Sequence, residues 1–339
     1  LIFFFLSITF VKSIIAEEFF FDTPEILVLE NGNLLKSTKG GKVTTDNNIE
    51  IYAKKFEYDK ITSILIATGN VKVFDIENQI ETKSDKAKYN GNQEILTAEG
   101  NVNIVDKKIN LILDADKTTY FKKKDIFEAF DNVNVDDKNN KVILKTNKLT
   151  YDRKKEKISS FGNTKIIIKE EYVVNTSDIT LLRNENKIFS NQFTEMSDQD
   201  GYYYIAENFR YFINTKIFRG KSLYISTKEK DKYYFDDGMV DLASKEIAGK
   251  DLTSFFNRNY DDNNENEPRL KGNVGLSNEN KTTVYKGAFT PCKSRGDKCP
   301  PWVIEAREIQ HDKNKKIVFY KDAWLKLYNI PVLYYPRFF

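Results

Sequence analysis

A repeat of 31 residues runs through the middle of the chain. Two columns follow it without a gap, one of tyrosine and one of asparagine, at Tyr58, Tyr89, Tyr120 and Tyr151 and at Asn70, Asn101, Asn132 and Asn163. Glycine precedes the asparagine in three of the four units. A fixed period of this length is the sequence signature of stacked repeat units, each too small to bury its own apolar face.

Each unit predicts two β-strands. In its second half, apolar residues alternate with polar ones, which places one row on a buried face and the other on a wet face. The apolar row is Leu65, Ala67, Val71 and Val73, then Leu96, Ala98, Val102 and Ile104, then Phe127, Ala129, Val133 and Val135. The polar row includes Thr68, Asn70 and Lys72. The predicted fold class is therefore all-β, repeated and stacked.

Two features predict a break within the strands. The glycine before each asparagine favours a bulge or a close backbone approach. In the first half of a unit the apolar parity also changes, from Ile49 and Ile51 to Phe56 and Tyr58. A change of parity needs one inserted residue, so a bulge or corner is expected, which lets one sheet fold into two facing layers.

The apolar row has two interpretations. It is a core closed by the opposite layer, or the layers stay partly open and hold a lipid between them. Small residues at mid-strand would leave volume for the second possibility, at Ala67, Ala98, Ala129 and Ser160.

Composition argues against most catalytic classes. The chain has 339 residues, 40% of them hydrophobic, which is enough for a core. Its 53 basic and 50 acidic residues give a net charge of only +3, so no nucleic-acid partner is expected. One histidine and two cysteines leave little material for acid–base catalysis or a zinc site. We expect no enzyme activity, no cofactor and no metal.

Individual polar residues gave weaker hypotheses. Asp85, Asp116 and Asp178 share one repeat column, with Asn147 between the last two, and such a column binds calcium or simply makes local hydrogen bonds near a bulge. His311 lies before Asp312 and a lysine-rich stretch, and is predicted to be a surface residue in a polar turn. Gly40-Gly41-Lys42 lacks the residues of a phosphate-binding loop.

The chain ends and the cysteines suggest an exported fragment. Residues 1–16 are apolar, are interrupted by Lys12 and end at Ala16, which fits a secretory signal peptide, with a membrane anchor as the alternative. The missing Met and the uncapped ending PVLYYPRFF predict that the reading frame extends at both ends. In an exported chain Cys292 and Cys299 are expected to be oxidised, either with each other or with cysteines beyond Phe339.

The motifs ATGNVKVFD and TAEGNVNIVD resemble the OstA-type β-jelly-roll repeats of lipopolysaccharide (LPS) transport proteins, over about residues 40 to 190. Further on, YKGAFT, Cys292, PPWVIEAREIQHD and IPVLYYPRFF are similar to the end of the N-terminal domain in the LptD family of LPS-assembly proteins. The resemblance implies a twisted, V-shaped jelly roll in the periplasm that leads into an outer-membrane β-barrel absent from this sequence.

The same resemblance implies the function and the partners. Lipid A acyl chains would pass along the apolar interior without any chemical step. An LptA-like periplasmic bridge would dock by edge-strand pairing, and an LptE-like lipoprotein would assemble with the barrel. The protein would belong to the outer membrane, with this segment facing the periplasm. Cys292 matches the family cysteine that bonds to the barrel, but the additional Cys299 and the absence of a cysteine near the mature N-terminus leave the pairing open.

The predicted domain organisation has four parts. Residues 1–16 are the signal peptide, 17–255 the jelly-roll repeats, 256–275 a polar loop or linker, and 276–339 the closing strands that approach the barrel. Two alternatives remain. One is a stand-alone periplasmic LPS bridge protein of the LptA type. The other is a secreted β-solenoid, either an adhesin or a carbohydrate-active enzyme.

Overall fold

The structure is a computed structural model that describes residues 18–256, 266–293 and 300–339. These residues form 27 β-strands and one 3-10 turn at Glu30–Gly32, which confirms the all-β prediction and is consistent with a β-jelly roll. Within them no helix is long and apolar enough to cross a membrane. The predicted signal peptide, residues 1–16, lies outside the described residues.

The chain divides into two compact units between Val133 and Asn134. The strands of unit 1 are β1 (Phe19–Asp22), β2 (Leu27–Leu29), β3 (Leu34–Ser37), β4 (Gly41–Thr45), β5 (Ile49–Ala53), β6 (Lys55–Asp59), β7 (Ile64–Asp75), β8 (Ile80–Asn90), β9 (Ile95–Asp106) and β10 (Leu111–Phe121). Strand β11 (Ile126–Asp137) contains the boundary.

The long strands of unit 1 change partners halfway along. The first half of β7 pairs with β6, whereas its second half pairs with β5. Strands β8, β9 and β10 follow both halves, so the pairing gives two layers. The first layer contains β1, β4, β5 and the second half of β7, and the second layer contains β2, β3, β6 and the first half of β7.

The predicted bulges lie where the strands pass between the layers. The β7–β8 register shifts between Thr68 and Val71, and the β8–β9 register between Lys83 and Lys86. We call this edge the corner, and we call the opposite edge, where the turns of the two layers meet, the mouth. At the corner, Gly69 and Gly100 have φ of 86° and 77°, a conformation that residues with a Cβ rarely adopt. The glycines that recur every 31 residues therefore mark the positions at which the sheet bends from one layer into the other.

Unit 2 continues the same plan with shorter strands at first. Its strands are β12 (Val142–Asp152), β13 (Lys157–Phe161), β14 (Asn163–Ile168), β15 (Tyr172–Ser177), β16 (Thr180–Leu182), β17 (Lys187–Phe189), β18 (Thr194–Asp198), β19 (Tyr203–Phe212), β20 (Ile217–Ser226), β21 (Lys232–Asp241), β22 (Glu246–Phe255), β23 (Asn266–Ser277), β24 (Lys281–Cys292), β25 (Trp302–Asp312), β26 (Ile317–Leu327) and β27 (Ile330–Phe338).

The strands of unit 2 also separate into two layers. The two halves of β12 pair with different strands, Val142–Lys145 with β14 and Lys148–Asp152 with β13. The first layer continues through β15 and β18 to the first half of β19, and the second through β16 and β17 to its second half. Strand β20 pairs with both halves of β19 and so joins the layers again.

The predicted polar loop at residues 256–275 is wrong for its second half. Strand β23 begins at Asn266 and pairs with β22 and β24, and within it Leu270 is buried. Pairing with both neighbouring strands and the burial of Leu270 place this stretch in the sheet despite its polar composition. Residues 257–265 lie outside the described residues.

Candidate functional site

The predicted apolar row lies inside the fold. All twelve of its residues, from Leu65 to Val135, are buried, with at most 6% of any residue exposed. The polar row points the other way, and Thr68, Asn70 and Lys72 are exposed. The structure thus confirms the predicted alternation, and the lipid contact of these twelve residues stays a prediction.

The space between the layers of unit 1 is packed. The ring of Phe19 in the first layer lies 4.5 Å from that of Tyr58 in the second, centroid to centroid. Tyr120 and Phe127 stack at 4.2 Å. A cavity of about 10 Å³ remains beside Tyr89, which is about the room that one water needs. In this conformation the apolar row is a closed core.

A buried ion pair joins the layers at the mouth of unit 1. Asp75 ends β7 in the first layer, and Lys122 follows β10 in the second. The Lys122 Nζ lies 3.2 Å from the Asp75 Oδ2, with 9% and 3% of the side chains exposed. Asp75 also accepts hydrogen bonds from the backbone N–H and the Nδ2 of Asn78, at 3.1 and 2.8 Å. The carboxylate therefore orders its own turn and holds the opposite layer.

Unit 2 repeats this arrangement twice at its own mouth. Arg183, which follows β16, donates from Nε and Nη2 to the two carboxylate oxygens of Asp137 at 2.6 and 3.1 Å, with 4% and 0% of the side chains exposed. Lys245, just before β22, lies 2.6 Å from Asp198 at the end of β18. We call these two contacts, together with Lys122–Asp75 of unit 1, the mouth ion pairs.

The mouth ion pairs were missed at the sequence level although part of the signal was present. Asp75, Asp106 and Asp137 follow the same 31-residue period as the tyrosines, and each ends a strand. The cations belong to later repeats, 46 or 47 residues further along the chain. The 31-residue period reveals the column of carboxylates. Their partners can be identified only when it is known which layers face each other.

The aspartate column at the corner makes local hydrogen bonds. The side-chain Nδ2 of Asn101 donates to Asp85 at 2.8 Å, and Asn132 donates in the same way to Asp116 at 2.7 Å. The Gly162 N–H donates to Asp178 at 2.8 Å. Among the residues described, no group of three or more His, Cys, Asp or Glu side chains is arranged to hold a metal. The structure places this column in local hydrogen bonds near the corner.

The surface prediction for His311 is wrong. His311 belongs to strand β25, lies opposite Thr282 in the ladder and is only 8% exposed. Its ring lies 4.7 Å from that of Phe256, centroid to centroid. Burial, with a smaller effect of the Lys313 charge, lowers the pKa of His311 to about 4. Strand alternation carries the imidazole inward even though its neighbours in sequence are polar.

The cysteine prediction is not tested. The Cys292 Sγ lies 4.0 Å from the carbonyl oxygen of Trp302 and is not in a disulfide among the described residues. Cys299 lies outside them.

Comparison with known proteins gives one family match. Residues 50–157 match the family described as the LptA/(LptD N-terminal domain) LPS transport protein. The matched segment ends at the first residue of β13 (Lys157–Phe161), and it contains the four repeat tyrosines from Tyr58 to Tyr151 and the Lys122–Asp75 pair. No curated protein matches the chain.

Proposed function

We propose that this chain carries lipopolysaccharide with the acyl chains of lipid A between the two layers of a unit, because residues 50–157 match the LptA/(LptD N-terminal domain) family of LPS transport proteins. Transport would need no chemical step on the lipid, so we propose a non-enzymatic role. The apolar row from Leu65 to Val135 would line the path.

The observation that carries the proposal is the difference between the two edges of each unit. At the corner of unit 1 the backbone of each long strand runs from one layer into the other. At the mouth the layers are joined by side chains, such as Lys122 with Asp75 and Tyr120 with Asn78 at 3.2 Å. Separation at the mouth therefore leaves the strand ladders intact.

Energetics favour the exchange of a core for acyl chains. Each CH₂ group that leaves water contributes about 0.8 kcal/mol. Acyl chains that enter between the layers would replace apolar contacts, such as those of Phe127 and Tyr89, with contacts of the same kind. The mouth ion pairs lose their burial on opening, but water then solvates both charges.

Two strands at the start of unit 1 support docking of an LptA-like bridge by strand addition. In the described residues, β1 pairs with β4 alone and β2 with β3 alone, so each leaves one side unpaired. Val28 in β2 is 63% exposed. Main-chain pairing to such an edge gives affinity, and alternate side chains give specificity.

At the other end, β27 supports assembly with further apolar surface. Ile330, Leu333 and Tyr334 on this strand are all exposed. We propose that it meets the outer-membrane part of the assembly, that an LptE-like lipoprotein is a partner there, and that this segment faces the periplasm. Cys292 would form its disulfide within that assembly.

A photo-crosslinking experiment tests the lipid path. A p-azidophenylalanine replaces Phe127, which is buried in the apolar row, or Phe74, which belongs to the outward row of the same unit. In cells that make LPS, adducts recognised by anti-LPS antibody are expected for the Phe127 probe and not for the Phe74 probe. Adducts at neither position in folded, exported protein would disprove the lipid path. Equal adducts at both positions would place LPS outside the space between the layers.

A further inference from the structure

A large polar cavity lies at the mouth of unit 2. Its volume is about 570 Å³, and its lining includes four lysines, Lys228, Lys245, Lys313 and Lys316. Tyr202 and Ile247 also line it. Lys245 is the cation of a mouth ion pair, so the cavity opens directly over the junction of the two layers. We call it the mouth pocket.

Lys313 brings a positive charge to the mouth pocket without a carboxylate partner of its own. Its Nζ donates to the Asn278 carbonyl at 2.6 Å and to the Ser277 Oγ at 3.2 Å, and lies 5.7 Å from the centre of the Tyr233 ring. Within the described residues these partners are all neutral. A fixed ammonium group with neutral partners is prepared to accept an anion at its free hydrogen.

The field of Lys313 is also felt by its neighbour His311. The positive charge contributes, after burial, to the lowered pKa of the imidazole. Lys245, in contrast, has its charge balanced by Asp198 and Asp200, at 2.6 and 3.3 Å. The anion position is therefore at the Lys313 side of the mouth pocket.

The rest of the lining suits hydroxyl groups. Three carboxylates and three amide side chains share the wall with the lysines: Glu229, Asp231 and Glu279, and Asn278, Asn280 and Asn314. Carboxylates and amides accept hydrogen bonds from sugar hydroxyls, and a tyrosine ring offers an apolar face to a sugar. A simple inorganic anion would not need these groups, and an unphosphorylated sugar would not need Lys313.

We propose that the mouth pocket binds the phosphorylated sugar headgroup of the lipid, with a phosphate monoester on Lys313, while the acyl chains enter between the layers below. The headgroup proposal rests on the proposed function, because it names the part of the same lipid that stays outside the space between the layers. The pocket then selects lipids by headgroup charge, whereas the apolar space between the layers of the same unit accepts chains of many lengths.

The test is a binding comparison with two lipids and two variants of the full chain. The lipids are lipid A with its phosphates and the same lipid A after enzymatic removal of its phosphates, each measured by displacement of a fluorescent lipid. The variants are Lys313→Gln and the control Lys221→Gln, an exposed lysine of β20 that is not in the pocket lining.

The unaltered chain and the Lys221→Gln variant are expected to prefer the phosphorylated lipid about tenfold, the size of one charge-assisted hydrogen bond. Lys313→Gln should remove most of this preference by weakening the phosphorylated lipid alone, and Lys313→Arg should restore it. Unfolding midpoints of all variants verify that the fold is kept.

The outcomes separate the two proposals. If neither lipid binds to the unaltered chain, the proposed function fails. If both bind equally, or if Lys313→Gln weakens both alike, the headgroup site is wrong and the lipid path stands. Competition by millimolar inorganic phosphate that abolishes the preference without release of the lipid would assign the site to free phosphate and would also overturn the headgroup proposal.

Discussion

The two edges of the folded sheet, the corner and the mouth, are held together by different interactions. At the corner, positive-φ residues such as Gly100 turn the backbone, and exposed side chains such as Asp85 and Asn101 bond across the bend. At the mouth, the layers are joined by ion pairs such as Arg183 with Asp137, which are almost completely buried. The corner is covalent and solvated, whereas the mouth is held by non-covalent contacts between buried charges.

Under the proposed function, this difference determines the edge at which a unit would open. A covalent corner keeps the layers in register and costs little, because its polar groups remain in water. A buried ion pair contributes little net stability, but the loss of one partner leaves an uncompensated charge. Separation at the mouth would therefore break side-chain contacts and leave the backbone pairing intact, as the proposed lipid path requires.

The largest effect is expected from a broken mouth ion pair. Arg183→Met leaves Asp137 buried without its cation, and we expect a loss of about 3–5 kcal/mol in the free energy of unfolding, measured by urea denaturation. The double variant Arg183→Met with Asp137→Leu should recover most of the loss. As a matched control, Arg219 pairs with Asp237 on the exposed surface, and Arg219→Met should cost less than about 1 kcal/mol. Equal losses for the two arginines would contradict the comparison.

The corner gives an intermediate effect that separates backbone strain from steric conflict. A Cβ at Gly100 would lie 2.5 Å from the Asp85 Oδ2, whereas one at Gly162, with a similar φ of 76°, would meet nothing within 4 Å. We expect Gly162→Ala to cost about 1–2 kcal/mol from φ alone. Gly100→Ala should cost about 1 kcal/mol more, because Asp85 must turn away and lose Asn101. Thermal unfolding of both variants measures the difference, and identical losses would mean that the Asp85 bond contributes nothing.

The smallest effect is a pH dependence at the mouth of unit 2. His311 is neutral in the fold above pH 4, because its pKa is lowered to about 4, but it takes up a proton in the unfolded chain below the ordinary value of about 6.5. Stability is therefore complete above the unfolded-state pKa and is lost as the pH falls from about 6.5 towards 4, by about 1 kcal/mol at pH 6. His311 is the sole histidine, so His311→Phe should flatten the curve between pH 7 and 5. An unchanged slope in that variant would assign the dependence to carboxylates.

The fold was predictable because the 31-residue repeat shows where the strands, their buried faces and their bulges lie. Alternation places Leu65 and Val102 inside, and the glycine column marks the bulges, so the layers, the corner and the inward face follow from local rules. His311 and the start of β23 were predicted wrongly for the same reason. Both lie in polar stretches whose burial is determined by the strands beside them.

The mouth was less predictable, since its contacts join residues far apart in sequence. The carboxylates Asp75 and Asp137 are visible as a column, but nothing local identifies Lys122 or Arg183 as their partners. The mouth pocket collects its residues from five turns between Tyr202 and Lys316, and no single motif contains them.

By itself, the sequence determined the strands, the inward face and the bends, because side-chain alternation and backbone conformation are properties of neighbouring residues. Only the tertiary structure decided that the inward face is closed, that ion pairs join its layers, and that Lys313 lines the same pocket as Lys245. Those properties depend on which layer faces which, because a buried lysine or aspartate needs a partner of opposite charge from the facing layer.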